Sequence, residues 1–176
     1  MLRIYLLSIL LSFQLASFAQ EAYPSAIAVP ANCKVLIHTY AKGVQVYVYT
    51  QDLNDTSKYT WVLKEPIANL YADSAHTSLI GKHYFSAGNT PTWESTDGSK
   101  VTGAKLAQVN SPDGAGIPWL LLKAKTITGP GVLQHTAFIQ RVHTIGGKPP
   151  VVAGKNQKGE IQKVSYTAEY IFYSEK

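Results

Sequence analysis

Val164-Ser165-Tyr166-Thr167-Ala168-Glu169-Tyr170-Ile171-Phe172 decides the fold. Val164, Tyr166, Ala168, Tyr170 and Phe172 take every second position, and Ser165, Thr167 and Glu169 fill the gaps. Successive side chains of an extended strand point to opposite faces, so this period predicts a strand with one apolar and one polar face. The same alternation runs through Val44-Gln45-Val46-Tyr47-Val48-Tyr49. Working outward, strand signals recur over 34–40, 60–64, 67–72, 78–85, 92–95, 100–109, 117–125 and 136–144, giving about ten strands and almost no helical periodicity.

The breaks carry turn chemistry: Ala41-Lys42-Gly43, Asn54-Asp55, Asp97-Gly98, Ser111-Pro112-Asp113-Gly114, Gly129-Pro130-Gly131 and Gly146-Gly147 before Pro149-Pro150. Glycine supplies positive φ, proline presets a corner, and Asn or Asp bonds its own backbone. Short strands at regular spacing predict a single all-β domain, an antiparallel β-barrel or β-sandwich of about ten strands. Leu120-Leu121-Leu122 is apolar on both faces, which predicts a central strand there, and Trp119 beside it reads as core.

Composition agrees. Of 176 residues 45% are hydrophobic and 15% charged, enough for a core and too apolar for disorder. Cys33 is the one cysteine, so an intramolecular disulfide is excluded, and it reads as a small residue near the start of a strand. Residues 1–19 read as a signal peptide: Arg3, an apolar run from Ile4 to Leu15, and small residues at Ser17-Phe18-Ala19 for cleavage after Ala19. The run is too short and too interrupted by Ser8, Ser12 and Gln14 for a membrane anchor. The expectation is an exported protein, periplasmic or extracellular, whose domain spans 20–176 without a transmembrane segment.

The net charge of +5 is concentrated late, with 8 basic and 3 acidic residues after position 122. Lys148, Lys155, Lys158 and Lys163 are interleaved with Gly, Asn and Gln and lack arginine or aromatic clustering. They read as a solvated loop, and nucleic acid is not expected as a partner. No Gly-x-Gly-x-x-Gly, phosphate loop, Gly-x-Ser-x-Gly or His-Glu-x-x-His motif is present. His38, His76, His83, His135 and His143 lack metal-ligand spacing, so neither a metal nor a cofactor is expected.

His83, Trp93, Glu94 and Asp97 fall within 17 positions. Glu94 and Asp97 could act as the carboxylate pair of a hydrolase with His83 beside them. The plainer reading makes Asp97-Gly98 a hairpin corner and puts Glu94 on a solvent face. On the strand over 136–144, Arg141 shares a face with Ala137, Ile139 and His143, whereas Gln140 lies with Phe138 and Val142. One of the two polar residues must therefore face inward, and a buried charge needs a partner: Glu94, Asp97 or a ligand's anionic group. Trp61 and Trp93 are the candidate stacking faces for a carbohydrate.

The order of several motifs resembles a known family: Gly43-Val44-Gln45-Val46-Tyr47, Trp61-Val62-Leu63-Lys64-Glu65-Pro66, Gly81-Lys82-His83-Tyr84, Pro91-Thr92-Trp93-Glu94 with Asp97-Gly98-Ser99, Ile117-Pro118-Trp119-Leu120-Leu121-Leu122, and Ile139-Gln140-Arg141-Val142. Together they resemble the exported bacterial and fungal domains grouped as domain of unknown function 3455. The resemblance covers nearly the whole of 20–176 and brings no settled activity. It implies that His83, Trp93, Glu94, Asp97, Gln140 and Arg141 are signature polar positions. Here 85–90 separates His83 from the Pro-Thr-Trp-Glu run, a departure from the family's shorter spacing. The leading functional reading is a non-catalytic binding domain for a small molecule or carbohydrate, with Trp61, His83, Trp93, Glu94, Gln140 and Arg141 as the binding residues. The alternatives are an envelope or extracellular hydrolase and a structural or assembly scaffold.

Overall fold

A computed structural model of the chain describes residues 23–151 and 157–176. The leader read over 1–19 and part of the basic loop, including Lys155, lie outside the described residues. Eight strands form among the described residues: β1 (Cys33–Gln51), β2 (Tyr59–Tyr71), β3 (Leu79–Ser86), β4 (Thr90–Ser95), β5 (Lys100–Val109), β6 (Trp119–Thr128), β7 (Phe138–Gly146) and β8 (Ile161–Glu175). Each pairs antiparallel with its sequence neighbour, and β8 returns to β1, closing an up-and-down barrel. Closure leaves no sheet edge to template aggregation.

The difference between ten expected strands and eight observed has two local causes. Ala41-Lys42-Gly43, read as a turn, continues β1: it pairs with Leu70, Asn69 and Ala68 of β2 and with Ala168, Thr167 and Tyr166 of β8. Gly43 serves close approach instead of reversal, because a Cβ there would overlap the Ile67 carbonyl oxygen and Ala68. Glu65-Pro66, read as a gap, continues β2 through a bulge: Val46 faces Glu65 but Tyr47 faces Leu63. The bulge next to Pro66 accommodates a residue with no N–H for the ladder.

The quoted alternation in β8 holds. Tyr166, Ala168, Tyr170 and Phe172 are buried inside the barrel with Trp93, Val101, Leu122 and Ile139. Beyond Tyr170 both faces are buried, because a second cluster covers the outside of β6, β7 and β8. Its cover is the N-terminal arm, where a 3-10 turn (Ser25–Ile27) lowers Ile27 onto Trp119, Leu121, Val142, Ile171 and Tyr173. That arm explains the apolar Leu120-Leu121-Leu122 run: Leu120 and Leu122 pack inward and Leu121 meets the arm.

Candidate functional site

Inward-facing residues in the halves of the strands next to the β1–β2, β3–β4 and β5–β6 connections enclose a cavity of about 310 Å³. Its polar lining comes from Gln45 of β1, His83 of β3, Trp93 of β4, Arg141 of β7 and Tyr170 of β8. Leu63, Pro66, Phe85, Pro91, Leu120 and Leu122 supply apolar wall. Leu63, Lys105 and Gln108 are exposed and mark the mouth, where the Lys105 ammonium donates to Gln108 Oε1 at 2.8 Å.

The two polar residues of the Gln140-Arg141 pair are both placed by strand parity, on opposite faces of β7. Arg141 turns inward with Ile139 and lines the cavity. Its Nε and Nη2 donate to the Pro118 carbonyl at 3.1 and 2.8 Å, and among the described residues no carboxylate pairs with it. Two of five guanidinium N–H bonds are so used, and three remain. None of the residues lining the cavity is acidic. Gln140 turns outward yet is wholly buried under the N-terminal arm: its Nε2 donates to the Ile27 carbonyl at 2.9 Å, and its Oε1 accepts the Tyr173 hydroxyl at 2.9 Å.

His83 and Trp93 face each other across β3 and β4 and stack, with ring centroids 4.5 Å apart and planes 10° apart. The His83 Nδ1–H donates to the Thr92 carbonyl at 2.8 Å, which leaves Nε2 as the lone-pair nitrogen. Burial pulls the His83 pKa down to about 3, with the Arg141 charge acting in the same direction against the Thr92 bond. The imidazole is neutral at physiological pH. Trp93 is 1% exposed; His83 covers one ring face, Tyr170 and Phe172 meet it edge-on, and Gly103 leaves room for the ring's rim.

Three buried polar atoms on cavity-lining residues form no hydrogen bond with any described residue: Gln45 Nε2, Trp93 Nε1 and the Tyr170 hydroxyl. Tyr166 and Tyr170 lie close enough for one to raise the other's pKa, but their hydroxyls do not reach ordinary hydrogen-bond geometry. Leaving such groups unpaired costs about 1–3 kcal/mol apiece, so the barrel holds polar capacity that its own side chains do not use.

The other predicted site residues lie elsewhere. Trp61 is buried in a separate aromatic cluster with Tyr47 and Tyr49, and its Nε1 donates to the Val151 carbonyl at 3.1 Å. Glu94 is on the outer face, where Tyr84 donates to it at 2.7 Å and Lys82 and Lys100 approach to 3.4 and 3.2 Å. These contacts, the Tyr84 bond foremost, hold its carboxyl below the usual value. Asp97 locks the β4–β5 turn to the β6–β7 connection: Oδ1 accepts the Ser99 N–H and hydroxyl at 2.9 and 2.6 Å, and Oδ2 accepts the Val132 N–H at 2.7 Å. Its carboxyl is drawn down to about 2, chiefly by the Ser99 hydroxyl. Glu94 and His83 therefore stand on opposite faces of the sheet, and the three residues of the hydrolase alternative do not converge.

A second histidine group sits on the outer wall, where His38 Nε2 and His143 Nδ1 share Glu169 Oε2 at 2.7 and 3.1 Å. Burial raises the Glu169 carboxyl, and the two imidazoles more than offset that. Among the described residues no group of His, Cys, Asp and Glu is arranged to hold a metal.

Sequence reasoning missed Gln45, Lys105, Gln108 and Tyr170 as cavity residues. Gln45 carried no signal of its own, because Ala41-Lys42-Gly43 read as a turn and its place on their inward face becomes visible only once β1 runs through them.

The fold and site together define an up-and-down, eight-stranded β-barrel with a donor-lined interior cavity. The family described as protein of unknown function (DUF3455) matches residues 30–174, and the chain belongs to that family. No curated protein and no solved structure matches it.

Proposed function

We propose that the barrel is a non-catalytic binding domain that takes a small organic molecule into its interior cavity. The observation that carries this reading is the convergence, around one cavity with apolar walls, of Arg141 with Gln45, Trp93 and Tyr170, each of which holds a buried polar atom without a partner among the described residues. Ligand pockets combine a mainly apolar lining with a few fixed polar groups in this way, and barrel mouths are a common place for them. At about 30 Å³ per liquid water, 310 Å³ accommodates on the order of ten non-hydrogen atoms. Between the two ligand classes expected from the sequence, the geometry favours a compact molecule with an apolar body over a sugar. A sugar stacks on an open aromatic face, whereas Trp93 is 1% exposed with one face covered by His83, and Trp61 is buried in another cluster. The leader read over 1–19 would place this binding outside the cytoplasm.

The test is titration of the purified protein with 2-naphthol, 2-naphthoate and octanoate in turn, followed by tryptophan fluorescence and calorimetry. The reading expects saturable one-to-one binding that Leu120→Trp, which fills the cavity from its wall, abolishes in a folded protein. Failure of all three to bind native protein, or binding untouched by the filled cavity, would refute it.

A further inference from the structure

The electrostatics of the cavity narrow the ligand class, on the assumption that the cavity is the binding site. Among the described residues Arg141 is the only charge on the inner lining, Lys105 at the mouth has the same sign, and the other polar groups include no ionisable acid of the carboxyl type. Burial raises the Tyr47 and Tyr166 pKa values and lowers that of His83, and on all three the guanidinium acts as a smaller influence in the lowering direction, so its positive field reaches this half of the interior. The groups around it are mostly donors: three free guanidinium N–H bonds, the Gln45 amide, the Trp93 indole and the Tyr170 hydroxyl. A neutral ligand would leave the guanidinium's charge uncompensated in a partly buried site, and a cation would be repelled. A doubly charged anion such as phosphate would match the donors but waste the apolar walls formed by Leu63, Pro66, Phe85, Pro91, Leu120 and Leu122. A planar, singly charged head on an apolar body uses both.

We infer that the cavity takes a small monocarboxylate, with its carboxylate on Arg141 and its hydrocarbon or aromatic body against the walls of β2, β3, β4 and β6. The bonds to the Pro118 carbonyl fix the guanidinium before any ligand arrives, so its remaining N–H bonds are pre-organised for a carboxylate. Lys105, exposed at the mouth, adds attraction on approach and little to the bound state. The whole anion is on the order of ten non-hydrogen atoms by the same cavity volume, its two carboxylate oxygens included. Both aromatic acids and medium-chain fatty acids have this chemistry.

The experiment compares 2-naphthoate with 2-naphthamide, which has the same shape without the charge, on the native protein by calorimetry at one ionic strength. The inference expects naphthoate to bind at least ~10-fold more tightly, as charge-assisted bonds to a guanidinium exceed neutral ones. Arg141→Met should reduce that preference to near unity, and Arg141→Lys, a point charge without the planar fork, should leave it in between. An octanoate arm separates the sources: naphthoate well above octanoate means an aromatic acid, and the reverse a fatty acid. Equal binding of naphthoate and naphthamide to native protein would overturn the carboxylate assignment and leave the binding reading standing. Binding of neither, and of no octanoate, would bring down both. Because the decisive comparison is made on the native chain, a variant that fails to fold does not obscure it.

Discussion

Replacing Gln140 with leucine should destabilise the barrel without touching its cavity. Gln140 is 0% exposed and bridges two groups for which no other hydrogen-bond partner is found among the described residues, the Ile27 carbonyl and the Tyr173 hydroxyl. Leucine has nearly the same volume, so the cost is polar and the cavity contribution is small. An orphaned buried donor or acceptor costs about 1–3 kcal/mol. Ile27 is fully buried and takes the upper part of that range; Tyr173, 7% exposed, recovers part of its loss. Allowing about 1 kcal/mol back for the more apolar side chain, the net expectation is about 2–3 kcal/mol. For a domain of this size that lowers the thermal midpoint by about 5–10 °C. Urea unfolding followed by circular dichroism gives the free energy, and limited proteolysis within 23–32 tests whether the arm is released first. Tyr173→Phe alone and combined with Gln140→Leu completes a cycle in which the two losses should be less than additive, because they share one hydrogen bond. A change below about 0.5 kcal/mol, or a loss of naphthoate binding at unchanged stability, would refute the argument that Gln140 is a clamp for the arm.

Further outcomes follow from the same contacts. Ile27→Ala should cost about 2–5 kcal/mol in urea unfolding, as for other fully buried aliphatic truncations, and should expose Trp119 to a fluorescence quencher. Asp97→Ala removes two hydrogen bonds within the β4–β5 turn and one that ties it to the β6–β7 connection, and should cost about 1–2 kcal/mol; a neutral result would mean that the turn holds itself. The Asp97 carboxyl is lowered on folding from 3.8 to about 2, so its contribution is fully present above pH 4 and is lost as pH falls through that interval, and Asp97→Asn should flatten this part of the acid limb. His83 acts over a higher range. Its pKa falls from 6.5 to about 3 on folding, the unfolded chain takes up a proton that the folded chain refuses, and stability declines as pH drops below 6.5. For the same reason naphthoate affinity should stay level from pH 6 to 9; a step with a midpoint near 6.5 would show that His83 is charged in the site.

The sequence made strands legible wherever one face is apolar and the other wet. β5 falls where the period of two put it, at Lys100–Val109, and the inner face of β8 is the apolar face read from Tyr166 to Phe172. The period failed where the local signal was itself ambiguous. Gly43 and Pro66 are the residues that most often end strands, but here Gly43 lets β2 approach and Pro66 rests beside a bulge. Neither fact exists until the partner strand is in place. Parity alone put Arg141 and Gln140 on opposite faces, and one of them inside. Whether the outward one met solvent depended on the arm that returns from 113 residues away to bond it. The cavity was legible only in part, since His83, Trp93 and Arg141 stood out as polar or aromatic markers, whereas Gln45 and Tyr170 looked like ordinary members of alternating strands. Glu94 and Asp97 attracted attention by proximity in sequence, but adjacent positions on a strand and its turn point to different sides of a sheet.

Closure of the barrel by β1 on β8 also governs the order in which the chain can become native. β1 is the longest strand, and most of its length pairs with the C-terminal strand, so during synthesis it waits with one edge open until nearly every other residue has emerged. The arm that precedes it has its docking surface on β5, β6, β7 and β8, so the first described residues are among the last to seat. A nascent chain of this protein is thus an open sheet with a sticky margin for most of its synthesis, and a helper that shields strand edges would act on it before the last strand arrives.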